Sequence, residues 1–367
     1  MPLTQLERAS LPFELNLADG HASQPWTPAQ SSVIGNLSEL YVRSTVKEYE
    51  SLYSKFQRHF FSFGNQLSAI DESGNILEFY SASQAIEAVA HVVRIQGRAC
   101  HITEPNFDNI PDIFRRVGVH IQPIAESELF DSSSYHEAIQ GLAGGALFVT
   151  NPGNPTGAYL GEQQFYELAA ACADLDVVLL VDFSFRFFCR QLGAFDQYAI
   201  LRKTGCKFVG IEDTGKTWPT RDLKVGLCVP CQHIVDQVRR IHFDCLLNIP
   251  PVTLALLNEF IAQSAFVEGE DFRSIIELNR SLLRRALDVR GLAVANLRST
   301  SSVEWISLDH GHGDLFRHLL QRGLRVLPGD HFFWSDRSKG RDYIRIALAR
   351  DPLTIEAATK IILEMPS

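Results

Sequence analysis

The chain has 367 residues, 46% of them hydrophobic and 21% charged, a composition typical of a globular protein large enough for more than one core. A net charge of −9 and the lack of any basic stripe argue against nucleic acid or an anionic membrane as partner. The longest apolar stretches, such as Val177–Val181, are strand-sized and too short for a bilayer. No basic patch precedes an apolar run at the amino end, so no secretion signal is expected. Seven cysteines, scattered and odd in number, fit reduced thiols in a cytoplasm better than a disulfide framework.

Residues 1–35 are rich in Ser, Pro, Gln and Ala without a sustained period, which predicts an arm and no core element. From Leu37 to Phe61 the pattern is helical. After Glu78, β-rich runs at Ala99–Thr103, His120–Ile124, Ala146–Thr150, Val177–Asp182 and Lys207–Glu212 alternate with helical segments, among them Asp108–Val117 and Glu162–Leu175. Such alternation predicts an α/β fold with a doubly wound, mostly parallel sheet over residues 36–250. Ligands gather beyond the carboxyl ends of such strands, where Asn151, Asp182 and Asp213 fall. A helical stretch through Leu254–Arg290, strands at Ser302–Leu308, Leu324–Leu327 and Tyr343–Ala349, and a last helix at Thr354–Glu364 predict a smaller α+β domain over 251–367.

The strongest local signal is Asn151-Pro-Gly-Asn-Pro-Thr-Gly157, which a simple Pro-Gly turn would also explain. It gains weight from its order in the chain: Asp182 ends the next strand, and Lys216 follows the strand after that, with Lys224-Val-Gly226 eight residues on. This ordered set resembles the class I/II aminotransferases, pyridoxal-phosphate (PLP) enzymes of fold type I. The resemblance implies that Lys216 attaches covalently to PLP, Asp182 holds the pyridine nitrogen protonated, and Asn154 donates to the ring oxygen. It also implies that Phe107 stacks on the ring, that Ser81, Ala82, Ser83 and Lys224 bind the phosphate, and that Arg345 clamps the substrate carboxylate. Each role has a physical basis. Helix amino-terminal N–H groups cradle phosphate, a planar guanidinium matches a carboxylate, and a protonated ring acts as an electron sink.

Two departures stand out. Phe185 lacks the hydroxyl that the family places three residues after the aspartate, so Ser184 is the candidate replacement donor. Asp213 stands where a serine is usual, and like charge makes a carboxylate a poor phosphate ligand but a good partner for a cation on the substrate. The arm carries Glu7 and Glu14-Leu-Asn-Leu-Ala-Asp19-Gly-His21. With Asn106-Phe-Asp-Asn-Ile110, Ile211-Glu-Asp-Thr-Gly-Lys-Thr-Trp-Pro-Thr220 and Arg345-Ile-Ala-Leu-Ala-Arg350, it resembles the PLP- and dioxygen-dependent L-arginine oxidases and hydroxylases of natural-product pathways. That resemblance implies that Glu7, Asp19 and Asp213 face a substrate guanidinium, that His21 acts as a base or places water, and that the arm folds over the site as a lid. The substrate would be L-arginine or a hydroxyarginine, oxidised with O2 to a 4-hydroxy- or 4,5-dehydro-2-keto or 2-imino acid.

Alternatives on the same pocket are a hydroxyarginine cyclase of the enduracididine or capreomycidine type, which consumes no oxygen, and an ordinary aminotransferase. A cofactor-binding regulator is disfavoured by the intact Lys216, Asp182, Asn154 and Arg345 and by the lack of a DNA-binding segment. Cys228-Val-Pro-Cys231 with His233 has metal-ligand spacing but no second ligand pair, so no metal site is expected, and His310-Gly-His312 reads as a polar loop. Arg186 and Arg221 are near enough in sequence to reach the cofactor region. By family analogy the protein is a cytoplasmic homodimer.

Overall fold

A computed structural model describes residues 1–70, 75–308 and 315–364; His310 and His312 lie outside them. Among the described residues the larger sheet contains β1 (Leu77–Phe79), β2 (Cys100–Glu104), β3 (Ile121–Ala125), β4 (Ala146–Thr150), β5 (Val178–Asp182), β6 (Phe208–Asp213) and β7 (Gly226–Pro230). Their order is β1-β7-β6-β5-β4-β2-β3. Neighbours from β6 through β3 run parallel, whereas β7 is antiparallel to both β6 and β1. The expected mostly parallel α/β sheet is present, with a reversed strand that the sequence pattern did not reveal. Strands β4, β5 and β6 are buried at every position, as unbroken apolar runs require when both faces of a sheet are covered.

The smaller sheet joins β8 (Ala293–Val294), β9 (Val303–Ser307), β10 (Leu327–Pro328) and β11 (Tyr343–Ala347) in the antiparallel order β10-β11-β9-β8. Two expected long helices are each broken. Leu37–Thr45 and Tyr49–Phe63 are separate, and Pro251–Phe266 is divided from Glu270–Val289 at Gly269, whose φ of 78° is the left-handed conformation glycine tolerates. The helix Pro251–Phe266 packs against Tyr49–Phe63. No described helix is long and apolar enough to cross a membrane.

The arm departs most from expectation. Leu3–Ser10 and Pro28–Gly35 are helices, the second started by a Thr27–Gln30 capping box. Leu3, Glu7 and Ser10 form the buried stripe of the first, a helical spacing concealed because two of its three members are polar. Backbone bonds tie the following segment to the small domain: Leu17 N donates to Arg325 O (2.8 Å), Ala347 N to Leu17 O (2.8 Å) and Ser23 N to Ala349 O (3.0 Å).

Arg186 turns into the core, away from the cofactor region. Its Nη2 lies 2.8 Å from Glu212 Oε1, with both side chains almost wholly buried, and the guanidinium sits 5.4 Å and 5.5 Å from the Phe183 and Phe187 rings. The Tyr198 hydroxyl donates to the same carboxylate oxygen at 2.8 Å. The pair fixes the turn leaving β5 to the end of β6. Replacing Arg186 with Met strands a buried carboxylate, so a loss of about 3 kcal/mol is expected in chemical denaturation. Adding Glu212→Gln should restore part of it.

Candidate active site

Strand register assembles the site. Thr150 pairs with Asp182 and Asp182 with Ile211, which aligns the carboxyl ends of β4, β5 and β6. Phe79 pairs with Gly226 and Gly226 with Asp213, so the segments holding Ser81, Lys224 and Lys216 meet at one edge. The resulting cavity of about 230 Å³ is lined by Ser81, Ala82, Ser83, Phe107, Asn154, Asp182, Ser184, Phe185, Asp213, Lys216 and Lys224, with Glu7 and His21 contributed by the arm. Asp19 lines an adjoining cavity of about 260 Å³ that shares Thr4, Glu7 and His21 with the first, and Arg221 lines that second space too. A larger cavity of about 700 Å³ near Phe63 and Arg273 contains none of these residues, so size does not mark the chemistry here.

The donor set fits PLP. Ser81 caps the helix Ala82–Ile95 by accepting from Gln84 N at 3.3 Å, leaving an amino-terminal turn of N–H groups beside Lys224. A Cβ at Gly226 would lie 2.3 Å from Ser81 C and 2.5 Å from Ala82 N. Only glycine lets β7 approach that turn. Asp182 lines the cavity and is buried. Burial raises its pKa, opposed by hydrogen bonds from Ser184, while Asp213 raises it further and Lys216 lowers it. Such a carboxylate gains from a cation placed against it. The Lys216 ammonium lies 5.9 Å from the Phe185 ring. Asn154 Oδ1 accepts from Arg345 Nη1 at 3.2 Å, which turns the other end of the amide, a donor, toward free space.

Three residues have partners other than those anticipated. The Ser184 hydroxyl donates to Asp182 Oδ1 at 2.5 Å, and its N–H donates to the same oxygen at 2.9 Å. Asp213 Oδ1 accepts from Gly215 N at 2.6 Å and Oδ2 from Ala82 N at 3.4 Å, so the carboxylate stands at the helix amino terminus. Glu7 Oε1 lies 3.0 Å from Arg345 Nη2; the guanidinium it faces in this structure is the protein's own. A polar chain runs beside them. His21 Nδ1 lies 2.6 Å from Asp19 Oδ1, and His21 Nε2 lies 2.7 Å from Lys224 Nζ. An imidazole protonated at Nδ1 satisfies both contacts, giving to Asp19 and accepting from the ammonium. For Asp19, burial pushes the pKa up. The hydrogen bond from His21 and the charges of Lys216 and Arg350 oppose it, and the carboxyl is held well below its usual range.

Several contributors were not picked out from sequence. Arg350, which appeared there only as the end of a motif, holds the arm in place. Its Nε donates to Asn16 O at 2.7 Å, Nη1 to His21 O at 2.8 Å, and Nη2 to Asp19 O. Asp108 Oδ2 accepts from Leu3 N at 2.9 Å and so caps the arm's first helix. The buried Glu126, its carboxyl pushed up to about 8 by burial, underlies the Asn154 loop. A Cβ at Gly153 would lie 2.1 Å from its Oε1, so any larger residue there would have to displace the Glu126 carboxyl. Local sequence signals existed for Arg350, in Arg345-Ile-Ala-Leu-Ala-Arg350, and for Asp108, in Asn106-Phe-Asp-Asn-Ile110, but neither pointed to the arm contact. Cys228 lies within β7, and the Cys231 sulfur accepts from Phe208 N at 3.4 Å. No cluster of metal-ligating side chains occurs among the described residues.

Comparison with known proteins places this geometry in context. A solved structure of MppP soaked with the product 2-ketoarginine superposes with a TM-score of 0.89 at 34% identity, covering 95% of this chain and 99% of that one. Human kynurenine–oxoglutarate transaminase 1 is 25% identical over 331 residues, 80% of this chain and 78% of its own. The aromatic aminotransferase ISS1 of Arabidopsis thaliana is 27% identical over 190 residues, 49% of this chain, and the matched segment spans 46%, about half, of that enzyme. The model of the family described as aminotransferase class I and II matches residues 27–362. That match runs through Asn154, Asp182, Lys216 and Arg345, and with it the chain belongs to the class I and II aminotransferases, enzymes whose cofactor is pyridoxal 5′-phosphate.

Proposed function

We propose that the protein oxidises L-arginine, or a close guanidino amino acid, with O2 to a 4-hydroxy- or 4,5-dehydro-2-keto or 2-imino acid. The observation that carries this reading is the arm: it brings Glu7 and His21 into the cavity of Lys216, with Asp19 bound to His21. Aminotransferase chemistry alone does not call for these added carboxylates. Asp213 supplies another in the same cavity. The 34% identity with MppP extends over 95% of the chain, and a 2-keto acid of arginine is the product named for that protein.

Bound PLP withdraws electrons from the substrate Cα, which makes the adjoining C–H bonds acidic. Lys216 is placed to attach the cofactor and, once released from it, to take the Cα proton. Asp182, steadied by two hydrogen bonds from Ser184, keeps the ring nitrogen protonated. Arg345, with Asn154 beside it, orients the substrate carboxylate, while Phe107 packs against the ring. Ser81, Ala82, Ser83 and Lys224 hold the phosphate. With Lys224 engaged by the phosphate, His21 Nε2 would be available to accept a side-chain proton or to place water, with Asp19 fixing its tautomer. The docked arm screens the site from bulk water, as a lid does; each pair of electrons removed passes with two protons to O2, giving H2O2, while an admitted water supplies the 4-hydroxyl oxygen and hydrolysis of the imine releases ammonia where the keto acid is formed.

The reading includes a cytoplasmic homodimer, with arm 1–35, a cofactor domain 36–250 and a small domain 251–367. Exposed Tyr80, Phe243 and Leu247 supply an apolar surface for a second subunit. A second reading, transamination, has the curated relatives in its favour, since both described above are transaminases. Phe185 and Asp213 weigh against it.

Oxygen uptake decides between them. Aerobic L-arginine without any keto-acid acceptor should consume O2, whereas turnover that depends on 2-oxoglutarate would establish the transaminase, and anaerobic turnover of a hydroxyarginine the cyclase. Lys216→Ala should abolish the visible absorbance of covalently held cofactor; a retained band would move that attachment to another lysine. Asp213→Ser should weaken L-arginine binding about tenfold more than L-norleucine binding, near 1.4 kcal/mol. Equal losses would remove Asp213 from cation recognition.

A further inference from the structure

We infer that Glu7 is an internal stand-in for the substrate carboxylate, and that specificity arises because a substrate must exchange partners with it. This inference rests on the guanidino-substrate reading for the identity of the cation. It concerns how that cation is selected.

The observations begin at Arg345, whose side chain is 1% exposed. Nη2 donates to Glu7 Oε1 at 3.0 Å and to Ala18 O, and Nη1 donates to Asn154 Oδ1 at 3.2 Å. Nε has no partner among the described residues. The carboxylate of the arm therefore occupies the position on the guanidinium that an incoming α-carboxylate needs. Burial lowers the basicity of Arg345, and the Glu7 charge and hydrogen bond oppose that shift.

A ligand carboxylate that takes Arg345 strands Glu7. The side chain is only 11% exposed, and an unpaired buried carboxylate is strongly unfavourable. Gly20 N, which donates to Glu7 Oε1 at 3.2 Å, is a neutral donor and does not replace a cation. A ligand that carries a distal cation supplies the missing partner. The exchange then converts one internal ion pair into two protein–ligand pairs, and no charge is left alone. A ligand with a carboxylate but an apolar tail completes only half of it. Glu7 lines the same cavity as Lys216 and Asp213, so the released carboxylate already borders the space that the substrate side chain enters. Glu7 thus disfavours neutral amino acids as well as attracting cationic ones.

The test uses the cofactor-loaded full chain with L-arginine and L-norleucine as probes. Dissociation constants are read from the change in cofactor absorbance and, on cofactor-free protein, by calorimetry. Glu7→Gln, isosteric and uncharged, should tighten L-norleucine about fivefold while weakening L-arginine about tenfold. A change of opposite sign for two ligands is not produced by general loosening of the arm. Glu7→Asp keeps the charge but shortens the reach, and should also tighten L-norleucine; it serves if the first variant misfolds. Unchanged or weaker L-norleucine binding in a folded variant overturns the inference. Should the native protein bind both probes equally, the arginine reading fails. The response of L-norleucine to Glu7→Gln still decides whether Glu7 guards Arg345.

Discussion

A guanidinium almost entirely removed from water, Arg345, organises this active site. Burying a positive charge is tolerable only where anions and carbonyl oxygens surround it, and the partners recruited here come from distant parts of the chain. Glu7 and Ala18 belong to the arm, Asn154 to the loop after β4, and Arg345 itself to β11 of the small domain. One side chain thereby joins three regions. The same contacts orient the Asn154 amide and hold the arm's helix at the mouth of the cavity.

The parts visible in the sequence are those that local physics marks. Fully buried parallel strands read as apolar runs, so β4, β5 and β6 and the residues after them were located closely. β7 was harder to place, because antiparallel return after a parallel run has no distinct period, and β8 is only two residues long. The broken helices followed from continuous amphipathic patterns that do not register a single left-handed glycine such as Gly269. In the arm the pattern itself misled. Its first helix buries Glu7 and Ser10, and a helix whose inward face is polar looks like solvent-exposed chain until its partners are known. Glu126 and Asp108 escaped notice for a related reason. Their value lies in what they touch across more than twenty residues of intervening chain, Gly153 in one case and Leu3 in the other.

Arg350 shows how the arm is held without any apolar core of its own. It spends its donors on the carbonyls of Asn16, Asp19 and His21, groups that would otherwise be buried without partners. Backbone bonds to Arg325, Ala347 and Ala349 extend the small sheet by a short segment. The arm is thus attached largely by polar contacts, which are individually modest and reversible, and its buried apolar anchors are small in number: Leu3, Leu17, Ala18 and Ala22. A segment that must cover a site and still admit a charged ligand gains from this balance. A greasy hinge would close more firmly and exchange more slowly.

The Asp19–His21–Lys224 chain ties the arm to the cofactor end of the site. Lys224 Nζ lies 2.7 Å from His21 Nε2. On the reading proposed above, Lys224 would also serve the cofactor phosphate received by the helix at Ala82; that phosphate is a stronger acceptor than an imidazole, and His21 Nε2 would then keep a free lone pair. Asp213, beside the same helix terminus, adds negative charge next to the phosphate and so weakens the cradle. That cost is reasonable only where a cation later arrives to offset it, which is the electrostatic reason to expect a cationic substrate at this site.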